Sequence, residues 1–471
     1  MVVGEFTHET DLLVIGGGPG GYSAAFRAAS NGIQTTIVEA SKALGGVCLH
    51  RGCIPSKTLL HMAEVIASAD HAREMGIEFG DPKINIKKAR EWKQTVIDKL
   101  SRGLGAVAKK LKVEVIQGKA RFEDGRHVAL DESEVKRIKF KRAIIATGSV
   151  ATKLPPSIQI DSAKVVNSRG VLELSEVPKH LLVVGGGYIG LELGTVSAAL
   201  GSSVTVVEML DSLLPGCDAD LVKPLAKRLG SQLEEICLET RVTAMKETKN
   251  GIQVSFEGKN VPKRKTFDQV LVAVGRSPNT RELNLEAANV AITERGFIKV
   301  DAQFQTTSQR IYAIGDAIGD PMLAHKAIAE GKVLADQLAG KDAVFEPRCI
   351  PAVVFTDPEI AWTGLTENEA KKNGTPIEVK KMQWMASGRA MSMGRTEGLT
   401  KIIFDPKTER VLGVGMVGVH VGEMIAEASL AIEMGAVATD IALTIHPHPT
   451  VSELFSDVAD LMASPGGTPA H

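Results

Sequence analysis

A strand, a glycine turn and a helix are written twice in this 471-residue chain, in the same register, and that duplication restricts the fold more than any other feature. In the first copy the buried-strand run at residues 11–15 (DLLVI) is followed by Gly16, Gly18 and Gly21 at G-x-G-x-x-G spacing. A helical stretch then reaches Gly32, and a second strand at residues 35–38 ends on Glu39. The second copy has a strand at 181–184 (LLVV), Gly185, Gly187 and Gly190, a helical stretch to Gly201, a strand at 204–207, and Glu208. Each part has a physical task. The first glycine permits the tight turn, the second lets backbone approach a pyrophosphate, the third allows close helix packing, and the helix N-terminus faces the phosphate charge. The acid, 23 residues past the first glycine in both copies, is placed to accept from ribose hydroxyls. With 46 glycines in the chain, a bare motif arises by chance about 0.4 times. Two complete units in register therefore predict two dinucleotide sites.

Glu208 also selects the second nucleotide. Its carboxylate accepts from a free 2′-hydroxyl, whereas a 2′-phosphate about 4 Å away is repelled by roughly 4 kcal/mol per charge pair at an effective dielectric of about 20. Residues 209–214 offer no arginine to offset that, so NAD is expected rather than NADP. Two further strand-like runs end in glycine turns, 142–148 (RAIIATG) and 270–276 (VLVAVGR). They read as the strands joining the nucleotide domains, with Thr147, Gly148 and Gly275 as candidate cofactor contacts. A third run, 311–316 (IYAIGD), sets Asp316 directly after a buried strand. Asp316 can bind a sugar chain, or it can cap a helix over 321–338; the pattern leaves both readings open.

Between the two copies lies GGVCLHRGCIPSK, residues 45–57, in which Cys48 and Cys53 are separated by four residues. Five cysteines would place a pair at this separation by accident in roughly 0.04 of such chains. A small loop restrains the unfolded state little, so the spacing points to a redox pair rather than a staple. A zinc site would want a second pair at ligand spacing, and Cys217, Cys237 and Cys349 are scattered singly. The glycines and the run 56–60 read as a loop opening one helix, with Pro55 in its first turn. Helix dipole and Lys57 then favour a thiolate, so one of the two cysteines is expected to be unusually acidic.

A net charge of −1 and the lack of a basic stripe exclude nucleic acid and anionic membrane as evident partners. No apolar run reaches the about 18 residues of a membrane span, and the start MVVGEFTHETD has no basic region ahead of an apolar core. A soluble cytoplasmic protein is expected, and an odd number of cysteines agrees with a reducing compartment.

The segment 45–57, together with residues 446–453 (HPHPTVSE), closely resembles the flavin-dependent disulfide oxidoreductases, over residues 8 to 462. The resemblance implies an α/β fold of two Rossmann-like dinucleotide-binding domains plus a C-terminal α+β dimerisation domain. The implied divisions are 1–150 for FAD, 151–276 for NAD, 277–350 as a central domain completing the FAD site, and 351–471 as the interface domain of a homodimer. It implies Glu39 on the FAD ribose, Asp316 on its ribityl and pyrophosphate region, and Lys57 paired with Glu192 beside the flavin ring. It further implies that His448, held by Glu453, reaches the cysteine pair of the other subunit. The implied activity is oxidation of protein-bound dihydrolipoamide through Cys48 and Cys53, with electrons leaving through FAD to NAD. The implied partner is a lipoyl-bearing acyltransferase of the 2-oxo acid dehydrogenase complexes or the lipoyl carrier of glycine cleavage. Tyr188, inside the second glycine motif, is expected to cover the flavin until nicotinamide arrives, or else to be ordinary packing.

Two positions depart from the family pattern, His50 where Asn is usual and Pro447 where a small residue is usual; no lipoyl-like extension is expected ahead of the flavin unit. His446 is a second, less favoured base. Rival readings are a reductase of glutathione, a related disulfide or mercuric ion, and a non-catalytic redox switch. Glu208 opposes the NADPH that the first needs, the tail SPGGTPAH lacks a mercury-handling cysteine pair, and a switch has no use for the base at 446–453.

Overall fold

The computed structural model describes residues 7–259 and 261–464. The expectations about a leader and a terminal cysteine pair rest largely on residues 1–6 and 465–471, which lie outside the described residues. The chain forms two compact units, one of residues 1–58, 85–152 and 275–346, the other of residues 59–84, 153–274 and 347–471.

In the first unit the strands Glu114–Gln117, Thr35–Glu39, Thr7–Ile15 and Arg137–Ile145 lie side by side and parallel, and Ile311–Ala313 pairs in parallel with the end of the last. The start of Arg137–Ile145 continues into antiparallel pairing with His127–Asp131 and then Lys119–Phe122. Alternation along the strands feeds two cores. Leu12, Val14, Ile37 and Ile144 face Ala24, Ala28 and Leu334 on one side, while Leu13, Ile15, Val38 and Ile145 face Phe122, Phe140 and Ile298 on the other. Burial on both faces is why these strands read as unbroken apolar runs. The helix Pro19–Ser30 packs on Ala324–Leu338 so closely that a Cβ at Gly331 would stand 2.6 Å from the carbonyl oxygen of Gly20. Arg27 donates to both oxygens of Asp336 at 2.8 and 2.7 Å across this contact, and these bonds hold the Asp336 carboxyl well below the usual range.

The second unit repeats the parallel plan in the order Glu235–Cys237, Ser203–Val207, His180–Val184, Gln269–Val272, Val165–Val166. Arg241–Thr248, Gly251–Glu257 and Arg264–Phe267 form a small antiparallel sheet beside it. Residues 347–464 build a five-stranded antiparallel sheet in the order Ala352–Val354, Glu359–Gly364, Val411–Gly418, Leu399–Phe404, Glu378–Gln383. The helices Val421–Met434 and Glu453–Ala463 contribute Ile425, Ala428, Leu454, Phe455 and Val458 to its core. Trp384 lies at the centre of that core and donates from Nε1 to Thr400 Oγ1 at 3.0 Å.

Lys401 links the two parts of this unit. Only 1% exposed, its ammonium lies 2.7 Å from carboxylate oxygens of Asp218, Asp220 and Glu367. Asp218 also accepts from the backbone N–H groups of Glu367 and Asn368 at 3.0 Å. This acidic trio has the spacing of a metal site, and a lysine supplies the cation. Among the described residues no helix is long and apolar enough to cross a membrane.

Candidate active site and cofactor cradles

Both glycine motifs are shaped partly by the chain and partly by what must approach it. Gly16 (φ +106°) and Gly185 (φ +110°) lie in the left-handed region, where a side chain is strained. A Cβ on Gly21 would fall 1.8 Å from the carbonyl oxygen of Gly16, and one on Gly190 would fall 2.2 Å from that of Gly185. The first and third glycines are thus demanded by the protein itself. The middle ones are not, because the nearest atom to a Cβ on Gly18 is Gly46 Cα at 3.8 Å and nothing lies within 4 Å at Gly187. These are also the N-cap residues of Pro19–Ser30 and Tyr188–Ala199, and neither makes a side-chain cap. The helix N–H groups are left for a phosphate.

The two acids are held identically. Glu39 accepts from Gly17 N and Ser41 N, each at 2.7 Å; Glu208 accepts from Gly186 N at 2.6 Å and Leu210 N at 2.9 Å. At the end of strand Arg137–Ile145 the Thr147 hydroxyl is buried without a hydrogen-bond partner, and Gly148 follows at φ +69° with open space around it. An orphaned buried hydroxyl beside a bare glycine cradle fits a polar ligand such as the FAD sugar-phosphate. Gly275 is likewise left-handed, at φ +103°, with no atom near a would-be Cβ.

Asp316 sits in the short 3₁₀ turn Gly315–Ala317. It is not a helix cap: the helix begins at Ala324 with Leu323 as its N-cap and no side-chain cap, so that alternative falls. Asp316 Oδ2 accepts a short hydrogen bond from Ser149 Oγ. Arg276 donates from Nε to Ser149 Oγ at 2.7 Å and from a terminal nitrogen to Ser149 O at 2.6 Å. The antiparallel pairing of Ser149–Ala151 with Arg276–Pro278 brings them together. Arg276 ends the run 270–276 and Ser149 follows the run 142–148, and a cation directly after the glycine turn is the signal in the sequence that could mark this pair.

The redox segment departs from expectation in one respect. Instead of a loop opening one helix, Gly46–Arg51 is already helical and carries Cys48; Gly52 breaks it, and Cys53 begins Cys53–His71. Gly45 (φ +128°) and Gly46 (φ +59°) turn the chain into it, and a Cβ on Gly46 would be 2.6 Å from Gly18 Cα. The cysteine helix therefore starts against the middle glycine of the first cradle. No disulfide joins the pair; Cys48 is partly buried and Cys53 exposed. Its hydrogen bond to Cys53, its burial and the Cys53 charge push the Cys48 thiol far up, with Lys57 acting in the opposite direction. Tyr22, on Pro19–Ser30, has its phenol raised by burial and by the charges of Cys48 and Cys53, a neighbour the spacing did not reveal. His50 points away from chemistry, its Nε2 donating to Leu44 O at 2.9 Å. Lys57 is half-buried.

In the second unit Tyr188 is the first residue of its helix and 41% exposed. Glu192, one turn further on, is buried and accepts from Phe355 N at 3.1 Å. His448 Nδ1 lies 2.8 Å from Glu453 Oε1, and the other oxygen of Glu453 accepts from Thr450 N at 2.7 Å. Glu453 opens the helix Glu453–Ala463, where the dipole favours its charge. The pairing makes Nδ1 the protonated nitrogen and leaves Nε2 to accept. The His448 side chain is 69% exposed. His446 is buried, its Nε2 2.8 Å from Glu427 Oε1 and its Nδ1 2.9 Å from Thr444 O. Both ring nitrogens of His446 face acceptors, which removes it as a base.

Residues 10–331 match the pyridine nucleotide-disulphide oxidoreductase family model, and residues 350–459 match that family's dimerisation domain. The chain is 48% identical over 455 residues to the dihydrolipoyl dehydrogenase of Vibrio cholerae serotype O1, covering 96% of this chain and 95% of that protein. It is 49% identical to that of Haemophilus influenzae with the same coverage, and 44% identical to that of Bacillus subtilis over 100% of this chain and 99% of that one. The solved Cu(II) complex of the HOCl-induced flavoprotein disulfide reductase RclA from Escherichia coli superposes with a TM-score of 0.86. It shares 30% identity, covering 97% of this chain and 100% of that one. With both cradles, the thiol pair and the carboxy-terminal sheet in place, the chain belongs to the pyridine nucleotide-disulphide oxidoreductase family.

Proposed function

We propose that this protein oxidises dihydrolipoamide to lipoamide and reduces NAD+ to NADH, using the Cys48–Cys53 pair and FAD. One observation carries the proposal: a hydrogen-bonded dithiol whose Cys48 lies on a helix that starts against the first dinucleotide cradle and whose Cys53 opens the next helix. Relatives named dihydrolipoyl dehydrogenase, 44–49% identical over nearly the whole chain, support it.

In the oxidised pair, one lipoyl thiol gives its proton to His448 Nε2 and the thiolate attacks Cys48, breaking the Cys48–Cys53 bond and releasing Cys53 as a thiolate. The second lipoyl thiol, losing its proton in turn, attacks the lipoyl sulfur bound to Cys48. This closes the lipoamide ring and returns Cys48, which takes up a proton. Glu453 holds the imidazole in the accepting tautomer and steadies the cation that forms. FAD, when bound, carries the electron pair from the dithiol to NAD+, which leaves as NADH. Gly16, Gly18, Gly21, Glu39, Thr147, Gly148 and Asp316 would hold FAD, and Lys57 and Glu192 would flank its ring. Gly185, Gly187, Gly190, Glu208 and Gly275 would hold NAD, where the anchored Glu208 carboxylate rejects a 2′-phosphate.

Residues 1–150 with 277–350 then form the flavin domains, 151–276 the NAD domain and 351–471 the interface. A homodimer, for which the matched dimerisation domain argues, lets the exposed His448 serve the thiols of the second copy. The dihydrolipoyl group arrives on an acyltransferase of a 2-oxo acid dehydrogenase complex or on the carrier of glycine cleavage. Absorbance at 340 nm, with dihydrolipoamide and either NAD or NADP, tests the scheme. Turnover with NAD that vanishes in Cys48→Ser is expected; a robust rate in that variant, or equal rates with NADP, rejects it.

A further inference from the structure

We infer that the ion pair between Lys326 and Glu330 is a brace that positions Asp316 for the flavin, an inference resting on the reading that Asp316 faces the sugar chain of FAD. The pair sits one helical turn apart on Ala324–Leu338, with Nζ and Oε1 2.9 Å apart, and the two residues are 8% and 1% exposed. Pairs at this spacing ordinarily lie on helix surfaces, where they are weak. Buried, both charges lose their hydration, and two apolar residues of similar size would cost the fold no more. The charges are used on the neighbouring loop. Glu330 Oε2 accepts from the N–H of Gly315 at 2.7 Å, and Lys326 Nζ donates to the carbonyl of Gly319 at 3.4 Å. One ion pair thus grips both ends of the stretch 315–319, and Asp316 lies inside it.

Gly315 has φ +73° and Gly319 φ +143°, values that glycine adopts freely, and outside any sheet ladder the Gly315 N–H and the Gly319 carbonyl take side-chain partners. From the opposite side Asp316 is fixed by Ser149, itself held by Arg276. The carboxylate is therefore held by Ser149 and Arg276, and its loop by Lys326 and Glu330. Lys326 and Glu330 are positioning residues, acting through Asp316.

Release of FAD from the full-length holoprotein, followed by the rise of flavin fluorescence, tests the brace in two backgrounds. The double variant Lys326→Met/Glu330→Met removes both charges together and leaves no unpaired one, so it is the form best able to fold; Glu330→Gln is the milder second variant. In the wild-type background each should release FAD faster, by about ten- to a hundredfold for the double variant. In the Asp316→Asn background the same changes should add less than about threefold, since residues acting through one group are not additive. An equal factor in both backgrounds marks general loosening and overturns the proposal, as does unchanged release. If Asp316→Asn itself releases FAD at the wild-type rate, the reading of Asp316 is what fails. Hydrogen exchange over residues 311–319 then decides the brace alone: faster exchange in the double variant sustains it, and unchanged exchange overturns it.

Discussion

Replacing Lys401 by Met should destabilise the second unit more than removal of any surface charge, and the reason lies in what the ammonium leaves behind. Three carboxylates converge on it at 2.7 Å, and their oxygens lie within 4.8 Å of one another. At that separation each like-charge pair is worth about 3.5 kcal/mol at an effective dielectric of about 20, so three ionised groups would repel by about 10 kcal/mol. The folded protein escapes part of this by taking up protons or admitting water. The loss expected on breaking a buried pair is about 3–5 kcal/mol, which for a unit of this size lowers the unfolding midpoint by about 5–9 °C.

The pH dependence carries a sign. Burial raises the Asp220 carboxyl, but the bonds and charge of Lys401 outweigh it and leave the group below its ordinary value. Its contribution is therefore present above the unfolded pKa and lost as pH falls through the folded one. Burial lowers the Lys401 ammonium, yet its bonds to Asp218, Asp220 and Glu367 raise it on balance, so its contribution holds below the unfolded lysine value and fades only as pH rises through the folded one. In Lys401→Met the Asp220 carboxyl loses the bonds and charge that hold it low, so it takes up a proton more readily and the gap from wild type should shrink as pH falls. Thermal unfolding followed by far-UV circular dichroism measures it, and millimolar calcium should raise the midpoint of the variant and not that of wild type. A variant within about 2 °C of wild type near neutral pH would refute the assignment of a structural ion cluster.

His448→Gln should lower dihydrolipoamide oxidation by about 10²–10⁴-fold, the usual worth of a positioned base, and stopped-flow reduction of the thiol pair by substrate is the step to time. Mixing that chain with inactive Cys53→Ser chains should restore about a quarter of wild-type activity after subunit exchange, because half the dimers are mixed and each then has one intact site; no recovery would mean that base and thiols belong to one chain. Tyr188→Ala should brighten flavin fluorescence and alter NADH affinity if the exposed ring screens the flavin, and unchanged values of both would leave it a packing residue.

What could be read in the sequence was what is local along it. The cradles were legible because strand, glycines, helix and acid fall within one supersecondary unit, and His448 and Glu453 were legible because they are five residues apart. The positioning groups were not. Lys401 meets Asp218 across 183 residues, Ser149 meets Asp316 across 167 and Arg276 across 127, and no periodicity marks contacts made only once the sheets close. The helix at Gly46–Arg51 was missed for another reason: two glycines at its start and one at its end lower its propensity, and packing against the first cradle offsets that.

The duplication runs further than the acids that first revealed it, and where it stops separates the two halves of the chemistry. Leu44 and Leu213, each 28 residues beyond the first glycine of its motif, would both meet a Cβ on the second residue of the motif, Gly17 or Gly186, at 2.6 and 2.7 Å. The next residues, Gly45 and Leu214, donate to the carbonyl oxygens of Gly17 and Gly186 at 2.8 and 3.0 Å. One residue later the copies part. In the first, Gly46 presses on Gly18 and leads straight into the cysteine helix; in the second, Pro215 stands there and Gly187 has no neighbour. A nucleotide in the first cradle is flanked by the segment that carries the thiols, which suits a resident electron carrier. The second cradle is open at the same point, which suits a nucleotide that must bind, accept a hydride and leave.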